Sequence, residues 1–162
     1  MGTDVHIHIE HRSRKTKRYK YGGMIFCKRN YHVFDIMSGE EEQDKRDSLF
    51  PVRGLPGDVT QATLKDYRDW GGDAHHASWL STIEFAACIV EAYNRMNSFE
   101  ELLWYKQYKE LYYLLKVIYY KGEKHEEDSL WSYKELLKLM LSYEKDKEEC
   151  RIVFWFDNKS LR

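Results

Sequence analysis

Prolines number only two, cysteines three, and the formal net charge is −1 over 162 residues. Each scarcity excludes something. Cys27, Cys88 and Cys150 are too few and too far apart for a disulfide framework or a zinc ribbon. A reduced, cytoplasmic protein is the expectation. Without an overall basic surplus, no stable nucleic-acid complex is expected. No run approaches the ~20 apolar residues that span a bilayer, and none near the N-terminus looks like a secretory leader, so no membrane partner is expected. The phosphate-binding loop, the dinucleotide fingerprint, the nucleophile elbow and the His-Glu-x-x-His motif are all missing.

Aromatic residues, by contrast, are abundant, with 13 Tyr and 5 Trp. Apolar residues make up 43% of the chain, enough to build a core and to argue against disorder. One domain over 1–162 is the natural division. "TDVHIHIEH" (3–11) alternates with period two and predicts a strand. "RSRKTK" predicts a turn and "RYKYGGMIF" a second extended stretch. "HRSRKTKRYK" (11–20) is a local basic cluster, which a solvated hairpin tip also explains. "RNYHVFDIM" (29–37) fits a short helix, and "SGEEEQDKRDS" (38–48) a charged loop.

The spacing of Leu64, Tyr67 and Trp70 predicts a helix over 59–70, capped by Asp58. "GGDAHHAS" (71–78) follows as a loop, because paired glycines end the helix. Ser81 with Glu84, and Ser98 with Glu101, form capping boxes before two longer helices. Gly122 stops the second. "LWSYKELLKLMLSYEK" is amphipathic, with Leu130, Tyr133, Leu137, Met140 and Leu141 on one face. "CRIVFWFDN" (150–158) is β-branched and aromatic, and too apolar on both faces for a wet edge. It predicts a central strand beside the first. The fold class is therefore α+β: a small sheet pairing N- and C-terminal strands, helices mainly on one side, and a helical elaboration over 98–148.

Four clusters could carry chemistry. Asp4, His6, His8 and Glu10 share one face of the first strand, and alternate strand residues lie about 7 Å apart, a spacing that suits two ligands of one ion. A half-exposed strand shows the same pattern. In "GGDAHHASW", Asp73, His75, His76 and Ser78 offer acid, base and hydroxyl groups on a loop that a ligand can approach; a plain connector is the alternative. Asp157 and Asn158 end an apolar strand, where ligand groups or ordinary turn residues are found. Arg53 in "RGLPGD", and Arg29 beside Asn30, could grip a phosphate or could be tied to helix ends. Cys88 lies in an apolar helix and reads as core.

Together "MGTDVHIHIEHR", "RNYHVFDIM", "RGLPGDVTQATLKDYRDWGGDAHHASWLS" and "RIVFWFDN" resemble a family of small bacteriophage and prophage proteins. That family begins with a Gly-Cys-Asp-Ile-His strand. It continues through an Arg-Gly-Leu-Pro loop and an Asp-x-His-Ser-x-Ser-Trp-Leu segment, and ends in Phe-Trp-Phe-Asp-Asn. The resemblance covers roughly the first 85 residues and the last 9. This chain has Thr3 where the family has cysteine, and His76 where serine is common. The resemblance implies a phage setting and matching positions at Asp4, His6, Arg29, Arg53, Asp73, His75, Ser78, Trp79, Asp157 and Asn158.

Two functions fit this set. A binding protein would sequester a small phosphorylated nucleotide-type molecule, such as a host immune signal. Arg29 and Arg53 would hold phosphates, His75, Ser78, Asp73 and Asn158 would bind polar groups, and Trp79 or Tyr31 would stack on a base. An enzyme would hydrolyse such a molecule as a phosphoesterase or nuclease. Asp4, His6, His75 and Asp157 would then be the catalytic groups, with a divalent metal held by Asp4, His6 and His8. A structural phage component is the third possibility. The sites are expected to form one pocket lined by Asp4, His6, His75 and Asp157 with Arg53 at its rim, in a homo-oligomer.

Overall fold

A strand that is apolar on both faces needs a neighbour on each side and cover above and below, and that requirement organises the molecule. The computed structural model describes residues 2–38, 48–97 and 130–159. Among them, four strands form one antiparallel sheet: β1 (Gly2–Ser13), β2 (Lys20–Ile25), β3 (Ala74–Ser81) and β4 (Glu148–Lys159). Their order is β2-β1-β4-β3, so the N- and C-terminal strands are central neighbours, paired from Gly2 opposite Lys159 to Ser13 opposite Glu148. The helices are α1 (Tyr31–Ser38), α2 (Gln61–Trp70), α3 (Thr82–Asn97) and α4 (Trp131–Lys145).

Pairing partners in an antiparallel ladder share a face. Val5, Ile7 and Ile9 therefore face the same way as Phe156, Phe154 and Ile152. These residues join one core with Val33, Phe34 and Met37 of α1, Phe85 and Ile89 of α3, and Tyr133, Leu137 and Met140 of α4. Each such buried side chain contributes roughly 1.5–3 kcal/mol. The predicted face of α4 is thus a core face, with Leu136 added to it and Leu141 only partly buried. Cys27, Cys88 and Cys150 are buried and free. Burial pushes the Cys27 and Cys150 thiols up to about 12, which makes them poor nucleophiles.

The opposite face is not wet. Residues Val153 and Trp155 of β4 lie on it and are fully buried. Across it runs α2, with Tyr67 edge-on to Trp155 at 5.3 Å and Trp70 against the His6 ring at 4.2 Å. His8 and Glu10 are sealed beneath this layer at 1% and 0% exposure, so this half of the polar face is buried, while Asp4 and His6 stay partly exposed.

Two local expectations change. The cap of α2 is Thr60, whose hydroxyl accepts the Thr63 N–H, while Asp58 is drawn away to Arg151 Nη1 at 2.7 Å. Residues 71–78 are not a loop: a single 3-10 turn (Gly71–Asp73) leads into β3. The strand was hidden by a bulge. His75 sits opposite Phe156 and Ser78 opposite Phe154, so His76 and Ala77 share the place opposite Trp155. His76 takes φ +50, in the left-handed region, and the alternation is lost there.

The Ser81–Glu84 capping box forms as expected: the Ser81 N–H donates to Glu84 Oε2 at 2.9 Å and the Glu84 N–H to Ser81 Oγ at 3.3 Å. The Ser98–Glu101 box, the helix ending at Gly122 and most of the charged loop after α1 lie outside the described residues.

Candidate functional site

The register that pairs β1 with β4 sets Asp4 opposite Asp157. Asp157 does not leave the sheet into solvent; it is fully buried. Its Oδ1 accepts the Asp4 N–H at 3.2 Å, and its Oδ2 lies 2.8 Å from His6 Nε2. A carboxylate partner places the proton on Nε2 and leaves Nδ1 as the basic nitrogen. No hydrogen bond to Nδ1 forms among the described residues. The His6 side chain keeps 15% exposure. Its ring lies between Trp70, at 4.2 Å, and Trp155, stacked at 5.8 Å, so its orientation is tightly held.

At the rim, Arg29 donates Nε and Nη2 to the same oxygen of Asp4, at 3.0 and 2.7 Å. The residue just after it, Asn30, caps α1 by accepting the Val33 N–H. A side chain at Gly2 would meet the guanidinium, since a Cβ there would fall 1.8 Å from Arg29 Nη1. Gly2 therefore leaves the space that Arg29 fills. Arg29 and Asp4 remain 41% and 34% exposed, so an anion can reach this cation.

The other end of the face is differently built. Glu10 Oε2 accepts both Nε and Nη2 of Arg151 at 2.9 and 2.6 Å, and its Oε1 accepts the Thr60 N–H at 2.8 Å. Arg151 also lies over Tyr19, 3.6 Å from the ring centroid. Between the two ends, His8 binds Tyr21 through Nδ1 at 3.0 Å and Asp66 through Nε2 at 2.9 Å. Burial lowers the His8 pKa, with the Asp66 carboxylate opposing.

The expected metal site does not assemble. Both His8 nitrogens are committed to protein partners. His6 Nε2 is engaged by the Asp157 carboxylate at 2.8 Å. Among the described residues, no group of three or more His, Cys, Asp or Glu is arranged to hold a metal.

Of the four residues expected to line one pocket, Asp4, His6 and Asp157 come together on one face of the sheet and His75 does not. His75 is opposite Phe156, 6.2 Å between ring centroids, and so belongs to the apolar face rather than to that of His6. Its Nδ1 lies 2.7 Å from that of His76, a contact in which one ring donates and the other accepts. Asp73 sits in the 3-10 turn, half-buried. Asn158 pairs with Thr3 through the ladder; its side chain lies outside the described residues.

Arg53 is not at the rim. Its guanidinium donates to both Glu84 oxygens at 2.8 and 2.6 Å and to the Trp79 carbonyl, and it stacks on the Trp79 ring at 4.6 Å. Arg53 thereby holds the Glu84 carboxyl below its ordinary value, partly offset by burial. Trp79 pairs with Val153, four residues from Asp157 along β4, or about 13 Å. Ser78 is buried and its hydroxyl accepts the Arg53 N–H at 3.1 Å. Arg53, Ser78 and Trp79 thus form a structural clasp between the 51–57 loop, β3 and α3.

Sequence reasoning passed over Asp66, Trp70, Tyr21, Trp155 and Arg151. The signal for two of them was available. On β4, Arg151 and Trp155 alternate in step with Asp157, so the same register that faces Asp4 with Asp157 faces Glu10 with Arg151. Asp66, Trp70 and Tyr21 arrive through the packing of α2 and β2, which no strand pattern encodes. No family model, no curated protein and no solved structure matches the chain.

Proposed function

We propose that the protein acts on a small phosphorylated, nucleotide-type molecule at the Asp4–His6–Asp157 end of the sheet, with His6 as the acid–base group of a hydrolytic phosphoesterase. The carrying observation is the His6–Asp157 pair: one ring nitrogen is fixed at 2.8 Å by a fully buried carboxylate, and the other is left uncommitted on a partly exposed ring. A carboxylate so placed orients the imidazole and stabilises the imidazolium that forms when Nδ1 takes a proton. Arg29 would attract the phosphate and neutralise charge that develops on it. The setting that accompanies this function is the one the resemblance implies, a phage protein in the host cytoplasm acting on a host signal, as a homo-oligomer.

A second function keeps one specific support. His75 faces away, so among the described residues the site face carries one imidazole with an uncommitted nitrogen rather than an acid and a base. Sequestration of the same ligand needs only Arg29 and His6.

A panel of cyclic and linear nucleotides incubated with the protein and followed by mass spectrometry separates the two. Turnover that falls about 10²–10⁴-fold in His6→Ala, the contribution of one acid–base group, supports the hydrolase. Retention of an unaltered nucleotide, lost in Arg29→Ala, supports sequestration. Neither turnover nor retention by the unmutated protein overturns both.

A further inference from the structure

Away from His6, the hairpin joining β1 to β2 concentrates positive charge that the fold does not use. Arg12 is bound to Glu149, and Arg14 lies 3.7 Å from Glu144. Lys15, Lys17, Arg18 and Lys20 are exposed, and no ion pair with them forms among the described residues. The tip is nonetheless shaped: the Thr16 N–H donates to the Ser13 carbonyl and the Lys15 N–H to the Ser13 hydroxyl. The net charge of −1 averages this cluster away, which is why composition alone argued against a polyanion.

The cluster continues into a second unusual feature. β2 is an outer strand of the sheet, and along it and just past it stand Tyr21, Met24 and Phe26, at 41%, 61% and 84% exposure. Met24 is opposite His8 and shares the face of β1 that carries His6. From Lys20 to Phe26 the stripe runs about 20 Å. Folded chains seldom leave large apolar side chains this open in a row without an occupant.

We propose that the β1–β2 tip and the β2 edge form a binding track for single-stranded nucleic acid. The four cations would follow the phosphate backbone, and Phe26 and Tyr21 would stack on bases. Cations beside exposed rings are the combination that single strands require, because backbone charge and base faces are both accessible there; a duplex hides its base faces. A second copy of this chain fits the edge less well. Antiparallel pairing of β2 with its copy would bring the basic tip of one protomer beside Lys28 and Arg29 of the other, and exposed edge lysines oppose such pairing. This track does not depend on whether His6 is catalytic.

Fluorescence anisotropy of labelled oligo-dT and oligo-rU with the full chain tests it directly. Binding should weaken with salt at a log–log slope of about −3, from ~0.7 counterions per phosphate over four cations. Replacing Lys15, Lys17, Arg18 and Lys20 together by serine should remove that slope. Phe26→Ala should weaken binding about tenfold, the order expected for one lost base–aromatic stack. All these side chains are exposed, and unchanged circular dichroism would confirm that the variants fold. No binding at low salt overturns the proposal, as does binding untouched by the quadruple serine variant. Inorganic polyphosphate bound as tightly as the oligonucleotide, with Phe26→Ala silent, also overturns it, because no base would then be recognised. Concentration-dependent dimers that vanish in Phe26→Ala, without oligonucleotide binding, would assign the edge to self-association instead.

Discussion

The two ends of one strand face answer the same problem differently. At one end Glu10 is sealed in the interior, and at the other Asp157 is. Burying a carboxylate is costly unless its charge is met. Glu10 is met by Arg151, a permanent cation that Asp58 and Tyr19 also hold, and its other oxygen accepts the Thr60 N–H. Asp157 is met by a backbone N–H and by the His6 ring, a partner with two nitrogens of which only one faces the carboxylate. An arginine partner makes a clamp. A histidine partner leaves one ring nitrogen without a hydrogen bond among the described residues and keeps the ring partly exposed, as the proposed exchange of protons with a ligand requires.

The largest effect should come from breaking the clamp. Glu10→Ala leaves Arg151 buried beside Asp58 alone, and removing one partner of a buried pair costs about 3–5 kcal/mol. Urea denaturation should show that loss. His6→Gln should cost distinctly less, since a neutral amide can still donate to Asp157. The double variant Glu10→Leu, Arg151→Met should recover most of the loss if packing is kept. Equal destabilisation by Glu10→Ala and His6→Gln would erase the distinction between the two ends.

A smaller effect lies between them, at His8. Its pKa in the folded protein is lowered, chiefly by burial, from an ordinary value of 6.5. The unfolded chain then binds the proton more readily. Stability is full above about pH 6.5 and declines as pH falls through the lowered folded value. Urea midpoints taken on descending pH should therefore drop in the unmutated protein. The drop should shrink in His8→Gln, in which Asp66 and Tyr21 keep a polar partner. A midpoint that rises on acidification would mean that the Asp66 attraction outweighs burial.

These contrasts also show what the chain alone discloses. The sheet was legible because β1 alternates strictly and β4 is apolar without interruption, and two such strands have few places to go. That the two strands are neighbours was therefore legible; the antiparallel register that sets Asp4 opposite Asp157 was not. The third strand was not legible, because the left-handed residue His76 inserts a bulge that destroys alternation over only eight residues. The burial of His8 and Glu10 was not legible either. It depends on α2 crossing a face that looks polar in β1 and apolar only in β4. Arg53 shows a further limit: a loop arginine waiting for phosphate and one clasping Glu84 look alike until α3 is placed.

The smallest expected change in stability is also the sharpest test of the open end. Arg29 and Asp4 form an exposed pair in which one carboxylate oxygen takes both donors. Such pairs add little to folding, because water screens them and ordering two long side chains offsets the attraction. Arg29→Ala should therefore leave the thermal midpoint almost unmoved. If the open end receives an anion, the same variant should weaken ligand binding or turnover far more than it weakens the fold, whereas Arg53→Ala should do the reverse by releasing Glu84 from its clasp. Crossing the two variants in one pair of assays, thermal melting and nucleotide binding, makes the outcome diagnostic. Arg53→Ala that lowers binding while Arg29→Ala does not would move the site to the Trp79 end of the sheet and leave His6 with a structural role.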